Sequence, residues 1–215
     1  MTIYKFKETI MQKLLVLMLV WSVTMVEAAV NDKNSEAIFA AGCFWCIQEA
    51  FHKMDGVIST EVGYTGGRVA NPTYEQVSKE TTGHREAIRV VFDPKVTSYE
   101  KLLVRFWQNV DALDDKGQFC DKGESYKSAI YYNSNEQKSL ANTSKEKISE
   151  LMGQKVVTDV TKASKFYSAE DYHQQYHLKN PLRYKYYKFR CGRTQRLEQL
   201  WGKVALEFWE SMFYN

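Results

Sequence analysis

Short apolar runs separated by polar turns recur along this chain and set its first outline. Residues 37–41 are apolar throughout, as in a strand buried on both faces, and the run stops at Gly42. A helical pattern opens at once, with Phe44, Ile47, Ala50, Phe51 and Met54 at three- and four-residue spacing. Residues 57–64 read as a second strand, closed by the turn signal Thr65-Gly66-Gly67. A short helix is predicted over 73–79 after Pro72, then a strand over 84–93 in which Ile88, Val90 and Phe92 alternate. Thr97-Ser98-Tyr99-Glu100 has the form of a capping box, opening a helix through Leu102, Leu103, Phe106, Trp107 and Val110. A strand at 128–132, a long helix from Ser134 to about Met152-Gly153 and a strand at 156–160 complete the regular pattern. Beyond Tyr167 the chain is aromatic and irregular, with a final helix predicted over 196–208. Strands alternating with helices, without repeats or a dividing linker, predict a single α/β (α+β) domain. Its mixed β-sheet carries helices packed on it and ends in an irregular C-terminal segment.

The first 29 residues depart from this pattern and predict a cleaved signal peptide, leaving the domain at 30–215. Lys5, Lys7 and Lys13 form a basic start, residues 14–26 are uncharged and mostly apolar, and Glu27-Ala28-Ala29 offers a cleavage site. The apolar stretch is too short to cross a bilayer comfortably, so export to the periplasm or outside is expected, without a stable membrane anchor. Net charge is +3 and falls by one with the signal removed, too little to imply nucleic acid. Four cysteines in an exported chain suit either disulfides or a functional dithiol.

Gly42-Cys43-Phe44-Trp45-Cys46 concentrates the chemistry. Cys43 falls where a strand turns into a helix, and unpaired N–H groups with the positive end of the helix dipole favour a thiolate there. Phe44 and Trp45 can wall an apolar pocket beside it. The plain alternative is a buried core cysteine, and a second is a thioredoxin-like dithiol made by Cys43 and Cys46. His173 and His177 stand at i, i+4, but Gln174 occupies the position where a zinc protease carries glutamate, so no metal is expected. The stretch 179–203 holds eight Lys/Arg against Glu198 alone, with tyrosines interleaved; it reads as a solvated face or as a binding module for anionic surfaces.

Seven segments, in order, extend the picture: GCFWC at 42–46, GYTGG at 63–67, PTYEQV at 72–77, TGHREAIRVVFDP at 82–94, GQFCDKGESYKSAIYY at 117–132, AEDYHQQYHLKNP at 169–181 and FRCGR at 189–193. Together they resemble the peptide methionine sulfoxide reductase A family. The resemblance implies thiol-dependent reduction of methionine-S-sulfoxide, free or in proteins, by a monomer. It implies Cys43 as nucleophile, Glu86 as acid, and Tyr74 and Tyr126 as phenols that hydrogen-bond the sulfoxide oxygen. Phe44 and Trp45 match the pocket for the methyl group, and Asp121 a carboxylate that contacts substrate. It further implies a resolving cysteine, Cys191 ahead of Cys46, with Cys120 packed near Asp121. Recycling falls to an external dithiol such as thioredoxin, and no cofactor is implied. An acid donating near neutral pH needs a raised pKa, which burial among aromatics supplies.

Overall fold

A computed structural model describes residues 35–202. The proposed signal peptide, and the part of the predicted last helix beyond Gly202, lie outside the described residues. The central sheet has the order β7-β6-β1-β3-β2-β8. Its strands are β1 (Ser35–Ala40), β2 (Val57–Thr65), β3 (Arg85–Phe92), β6 (Ala129–Tyr132), β7 (Asp159–Lys162) and β8 (Tyr167–Ser168). Every neighbouring pair is antiparallel except β6 with β7, so the sheet is mixed as expected. A separate hairpin pairs β4 (Gly117–Gln118) with β5 (Asp121–Lys122).

The continuous apolar run of β1 has a direct cause. It lies between β6 and β3, with Ala37 and Phe39 in the main core and Ile38 and Ala40 in a smaller cluster with Ala87, Ala129 and Tyr131. Helices α1 (Phe44–His52), α3 (Tyr99–Trp107) and α4 (Asn135–Met152) contribute to the main core. Phe39 stacks on Phe51 at 5.3 Å and on Phe106 at 5.2 Å between ring centroids. Burying each such aromatic contributes about 2–3 kcal/mol by area. Trp107 donates its indole N–H to Ser144 Oγ at 3.0 Å, which ties α3 to α4.

Three local readings shift. The cap of α3 is Ser98 rather than Thr97, since Ser98 Oγ accepts from the Lys101 N–H. A reciprocal capping box instead opens α2 (Tyr74–Ser78), through Thr73 and Gln76. The strand expected at 156–160 enters the sheet only at Asp159; Val156 is drawn into the core, and the Val157 N–H bonds to Ala112 O. The tail is also more regular than its pattern suggested. It folds as α5 (Tyr176–Lys179), α6 (Pro181–Arg190) and α7 (Arg193–Trp201). Pro181 stands at the start of α6, where its fixed φ and missing N–H cost nothing.

Candidate active site

Cys43 is the cap residue of α1, one step beyond the turn that ends β1. Gly42 makes that turn possible: its φ is +73°, and a Cβ there would lie 2.4 Å from Gln118 Cβ. Glu86 arrives from β3, opposite Tyr64 of β2, and accepts the free Phe44 N–H of the α1 N-terminus at 2.9 Å. Glu86 is only 4% exposed. Burial, supported by the nearby Asp121 carboxylate, pushes its pKa up to about 8, although the Phe44 N–H opposes the shift.

The two cysteines of the turn are free, buried and hydrogen-bonded to each other. Several groups act against the thiolate that the turn by itself favours at Cys43. Burial, the Cys46 sulfur and the Glu86 and Asp121 carboxylates raise the Cys43 thiol. Cys46, hydrogen-bonded by Cys43 and facing Arg193 and Lys188, titrates at about 7. The first N–H of the helix, which would have favoured charge on Cys43, is already taken by Glu86. Of the two thiols, Cys46 is the more readily ionised.

The two phenols come from different segments. Tyr74 begins α2, and its N–H is accepted by Glu170 at 2.9 Å. Tyr126 ends a short 3-10 turn, Glu124–Tyr126, and lines the same cavity as Tyr74. Burial and the Glu86 carboxylate raise Tyr74 to about 12, and the same causes raise Tyr126 further. Both therefore remain hydroxyl donors. With Cys43, Phe44, Trp45, Glu86 and Asp121 they line a cavity of about 60 Å³. Trp45 is fixed on both sides, stacking on Tyr176 at 3.8 Å and donating its indole N–H to His173 Nδ1 at 3.1 Å. The cavity thus brings a buried thiol, a carboxyl with a raised pKa and two phenol hydroxyls onto one small space.

Asp121 stands at the start of β5 and accepts from the Tyr187 hydroxyl at 2.5 Å, with its own pKa raised by burial. Cys191 is not a free thiol: it forms a disulfide with Cys120, with Cα atoms 5.0 Å apart. Of the two candidates for the resolving role, Cys191 is thus paired with Cys120, whereas Cys46 is a free thiol beside Cys43. Cys120 occupies the hairpin turn, which the fold brings against the end of α6 across a sequence separation of 71. The sulfur in contact with Cys43 is that of Cys46.

Several residues of the site had no assigned role in the sequence reading: Tyr187, His173, Glu170 and Tyr184. All four lie in stretches within reach of pattern analysis. Glu170 lies in the AEDYHQQYH segment, and Tyr184, Tyr187 and Cys191 fall at i, i+3 and i+7 of a helix begun by Pro181. The histidine pair does not share a helix, because α5 begins only at Tyr176. Of the basic tail, Lys188 pairs with Glu49, Arg196 pairs with Asp111, and Arg193 is buried against the carbonyls of Asn109 and Ala41. Those cations hold the fold rather than face an anionic surface.

The family model for peptide methionine sulfoxide reductase matches residues 35–205. The chain belongs to that family. A peptide methionine sulfoxide reductase MsrA of Bacillus licheniformis is 48% identical over 174 residues, covering 80% of this chain and 96% of the relative. The MsrA 2 of Rhizobium meliloti is 46% identical over 169 residues, covering 79% and 84% respectively. Among solved structures, methionine sulfoxide reductase A of Corynebacterium diphtheriae is 30% identical with a TM-score of 0.64, covering 71% of this chain and 78% of that one. Reduced Mxr1 of Saccharomyces cerevisiae is 29% identical with a TM-score of 0.67, covering 70% and 88%. As a member of this family the chain is an oxidoreductase that reduces methionine sulfoxide, and the mixed sheet with packed helices is the fold of these relatives.

Proposed function

We propose that this reductase acts on methionine-S-sulfoxide, free or in proteins, with Cys43 as nucleophile and Glu86 as acid. The observation that carries the assignment is the buried Glu86, raised to about 8 and lining the same small cavity as Cys43. A sulfoxide sulfur is a poor electrophile until its oxygen gains a proton. The phenols of Tyr74 and Tyr126 hydrogen-bond that oxygen and Glu86 delivers the proton. Phe44 and Trp45 receive the methyl group, and Asp121 contacts the rest of the substrate.

Cys46 supplies the complementary base. The thiolate charge on Cys46 accepts the Cys43 proton along their shared hydrogen bond as the Cys43 sulfur attacks. Methionine leaves, and the sulfoxide oxygen remains on Cys43 as a sulfenic acid. The Cys46 sulfur then displaces that oxygen as water, forming a Cys43–Cys46 disulfide. A thioredoxin-like dithiol returns both to thiols, its own pair becoming a disulfide. Every electron in this cycle is carried by sulfur, so the mechanism calls for no metal, flavin or nucleotide. The basic and apolar pattern of residues 1–29 supports export to the periplasm or outside.

The test follows separate S and R epimers by chiral chromatography with the full chain and dithiothreitol. Only the S epimer is consumed, and Cys43→Ser consumes neither. In a single turnover, Cys46→Ser releases methionine more slowly and accumulates Cys43 sulfenic acid. Equal loss of both epimers would overturn the stereochemical assignment. Disulfide closure in Cys46→Ser at the wild-type rate would move the resolving role elsewhere.

A further inference from the structure

The Cys120–Cys191 disulfide is attached to both halves of one wall of the cavity. Cys120 immediately precedes Asp121, and Cys191 lies one helical turn beyond Tyr187 on the same face of α6. Asp121 and Tyr187, which line the cavity, are hydrogen-bonded to each other at 2.5 Å. The tie is close-fitting: the Cys120 N–H points at Cys191 Sγ at 3.2 Å, and Asp121 Oδ2 lies 4.0 Å from that sulfur.

The base of the hairpin that carries Asp121 is held by polar contacts, Gly123 N–H to Lys116 O and Lys122 to Asp114, and its tip is tied by the disulfide. The hairpin pairs only Gly117 with Lys122 and Gln118 with Asp121, leaving Phe119 and Cys120 as its turn. Phe119 has a φ of +58°, a conformation that bulky side chains avoid and that persists only where the surroundings impose it. Gln118 is anchored to the Asp111 backbone, and the Arg193 guanidinium lies 4.3 Å from the Phe119 ring centroid. On the side facing the cavity, the covalent bond to α6 stands beside the Tyr187–Asp121 hydrogen bond as the restraint. Cys120 is exposed, whereas Cys43 and Cys46 are 5% and 4% exposed. A dithiol can therefore reach the outer bond more readily than the inner pair.

We propose that the Cys120–Cys191 disulfide is a clamp that positions Asp121 and Tyr187 for substrate binding, and that an external dithiol opens it. This rests on the reading of Asp121 as a substrate contact. Opening proceeds by ordinary exchange: a donor thiolate attacks one sulfur to form a mixed disulfide, and the second donor thiol displaces it. The Cys120–Cys191 bond is replaced by a bond within the donor, and the two cysteines end as protonated thiols. With the clamp open, the hairpin turn is free to leave the left-handed conformation, and the Asp121–Tyr187 pair loses its fixed spacing. Cys120 and Cys191 are thus positioning residues that act through Asp121 and Tyr187.

The deciding experiment measures methionine release in single turnovers, across sulfoxide concentrations, with no reductant present. Full-length wild type is compared with its outer disulfide closed and with all cysteines reduced, the two forms being distinguished by thiol titration and peptide mapping. Opening raises the half-saturating sulfoxide concentration roughly tenfold, the scale of one charge-assisted hydrogen bond. The rate at saturation stays within about twofold, because the reacting groups are untouched. Cys120→Ser behaves as the open form under every condition. Adding Cys120→Ser to Asp121→Asn causes no further rise, since both act through one contact. Equal half-saturation in the two wild-type forms would overturn the clamp, as would additive effects of the two substitutions. A Cys120→Ser protein that binds substrate normally and fails only when recycled by a protein dithiol would replace the clamp with an electron relay. Absence of methionine release from closed wild type, with its Cys43 thiol intact, would defeat the Cys43 reading and the clamp with it.

Discussion

Two carboxylates in this molecule do the same structural job and end in opposite states. Glu86 accepts the first free N–H of α1, from Phe44, and Glu170 accepts the first free N–H of α2, from Tyr74. Glu86 has that single N–H and a fully enclosed position, so burial wins and raises it to about 8. Glu170 also receives the Tyr64 hydroxyl at 2.8 Å and keeps some contact with solvent. Burial still opposes its charge, but the donors outweigh it, and Glu170 stays below the usual carboxylate range. A helix N-terminus does not by itself decide whether a carboxyl is an acid or an anion; the number of donors and the access of water decide. One arrangement leaves a carboxyl that keeps its proton near neutral pH. The other makes a fixed anion that holds Tyr74 in position.

The sharpest break in this pairing is Glu86→Gln. The amide oxygen can still accept the Phe44 N–H, but no proton can be delivered. Methionine release in a single turnover should fall by about 10²–10⁴-fold, with formation of the Cys43–Cys46 disulfide scarcely changed. In wild type the same step should decline as pH rises through about 8, where Glu86 ionises, and that limb should vanish in the variant. Equal slowing of both steps would remove Glu86 from the acid role.

Next in size are the phenols. Tyr74→Phe and Tyr126→Phe should each slow the sulfoxide step by about tenfold, and the double variant should lose less than the product of the two, because both hydroxyls serve one oxygen in the same cavity. Fully multiplicative losses would mean that they act independently.

The smallest effect, and the most direct test of the contrast, is on stability. Glu170→Gln should cost about 1 kcal/mol at neutral pH, after allowance for solvent screening. Because Glu170 is lowered in the fold, its contribution is present above the unfolded value of 4.5 and is lost as pH falls through the folded one. The deficit should therefore close in acid. Glu86 has the opposite sign. Raised in the fold, it favours the native state below 4.5, and that contribution is lost as pH rises through about 8. Glu86→Gln should accordingly gain on wild type in urea titrations as pH is raised from 5 to 9. Parallel pH slopes for the two variants would show that their environments do not differ as described.

Much of this was legible in the chain. The apolar run at 37–41, the glycine after it and the helical spacing from Phe44 placed Cys43 at a strand-to-helix turn, since local sterics and patterning act over a few residues. The ordered motifs named Glu86, Tyr74, Tyr126 and Asp121, and the fold brings all four to the cavity that holds Cys43. The β4–β5 hairpin was not visible, because two-residue strands carry no periodicity. Nor was the regular tail: on α6, Tyr184 and Tyr187 turn inward while Tyr186 and Phe189 stay exposed, which obscures the polar-apolar alternation by which a surface helix is recognised.

The sequence determined the elements, the family and the residue types available for sulfur chemistry, all consequences of local pattern and of side chains themselves. Tertiary structure alone decided the charge states and the sulfur partners. Whether Glu86 keeps its proton depends on how completely β3 and α1 enclose it, and Cys191 meets Cys120 rather than Cys43 because α6 ends against the hairpin turn. Desolvation and through-space distance are properties of the packed chain, and no spacing along it encodes them.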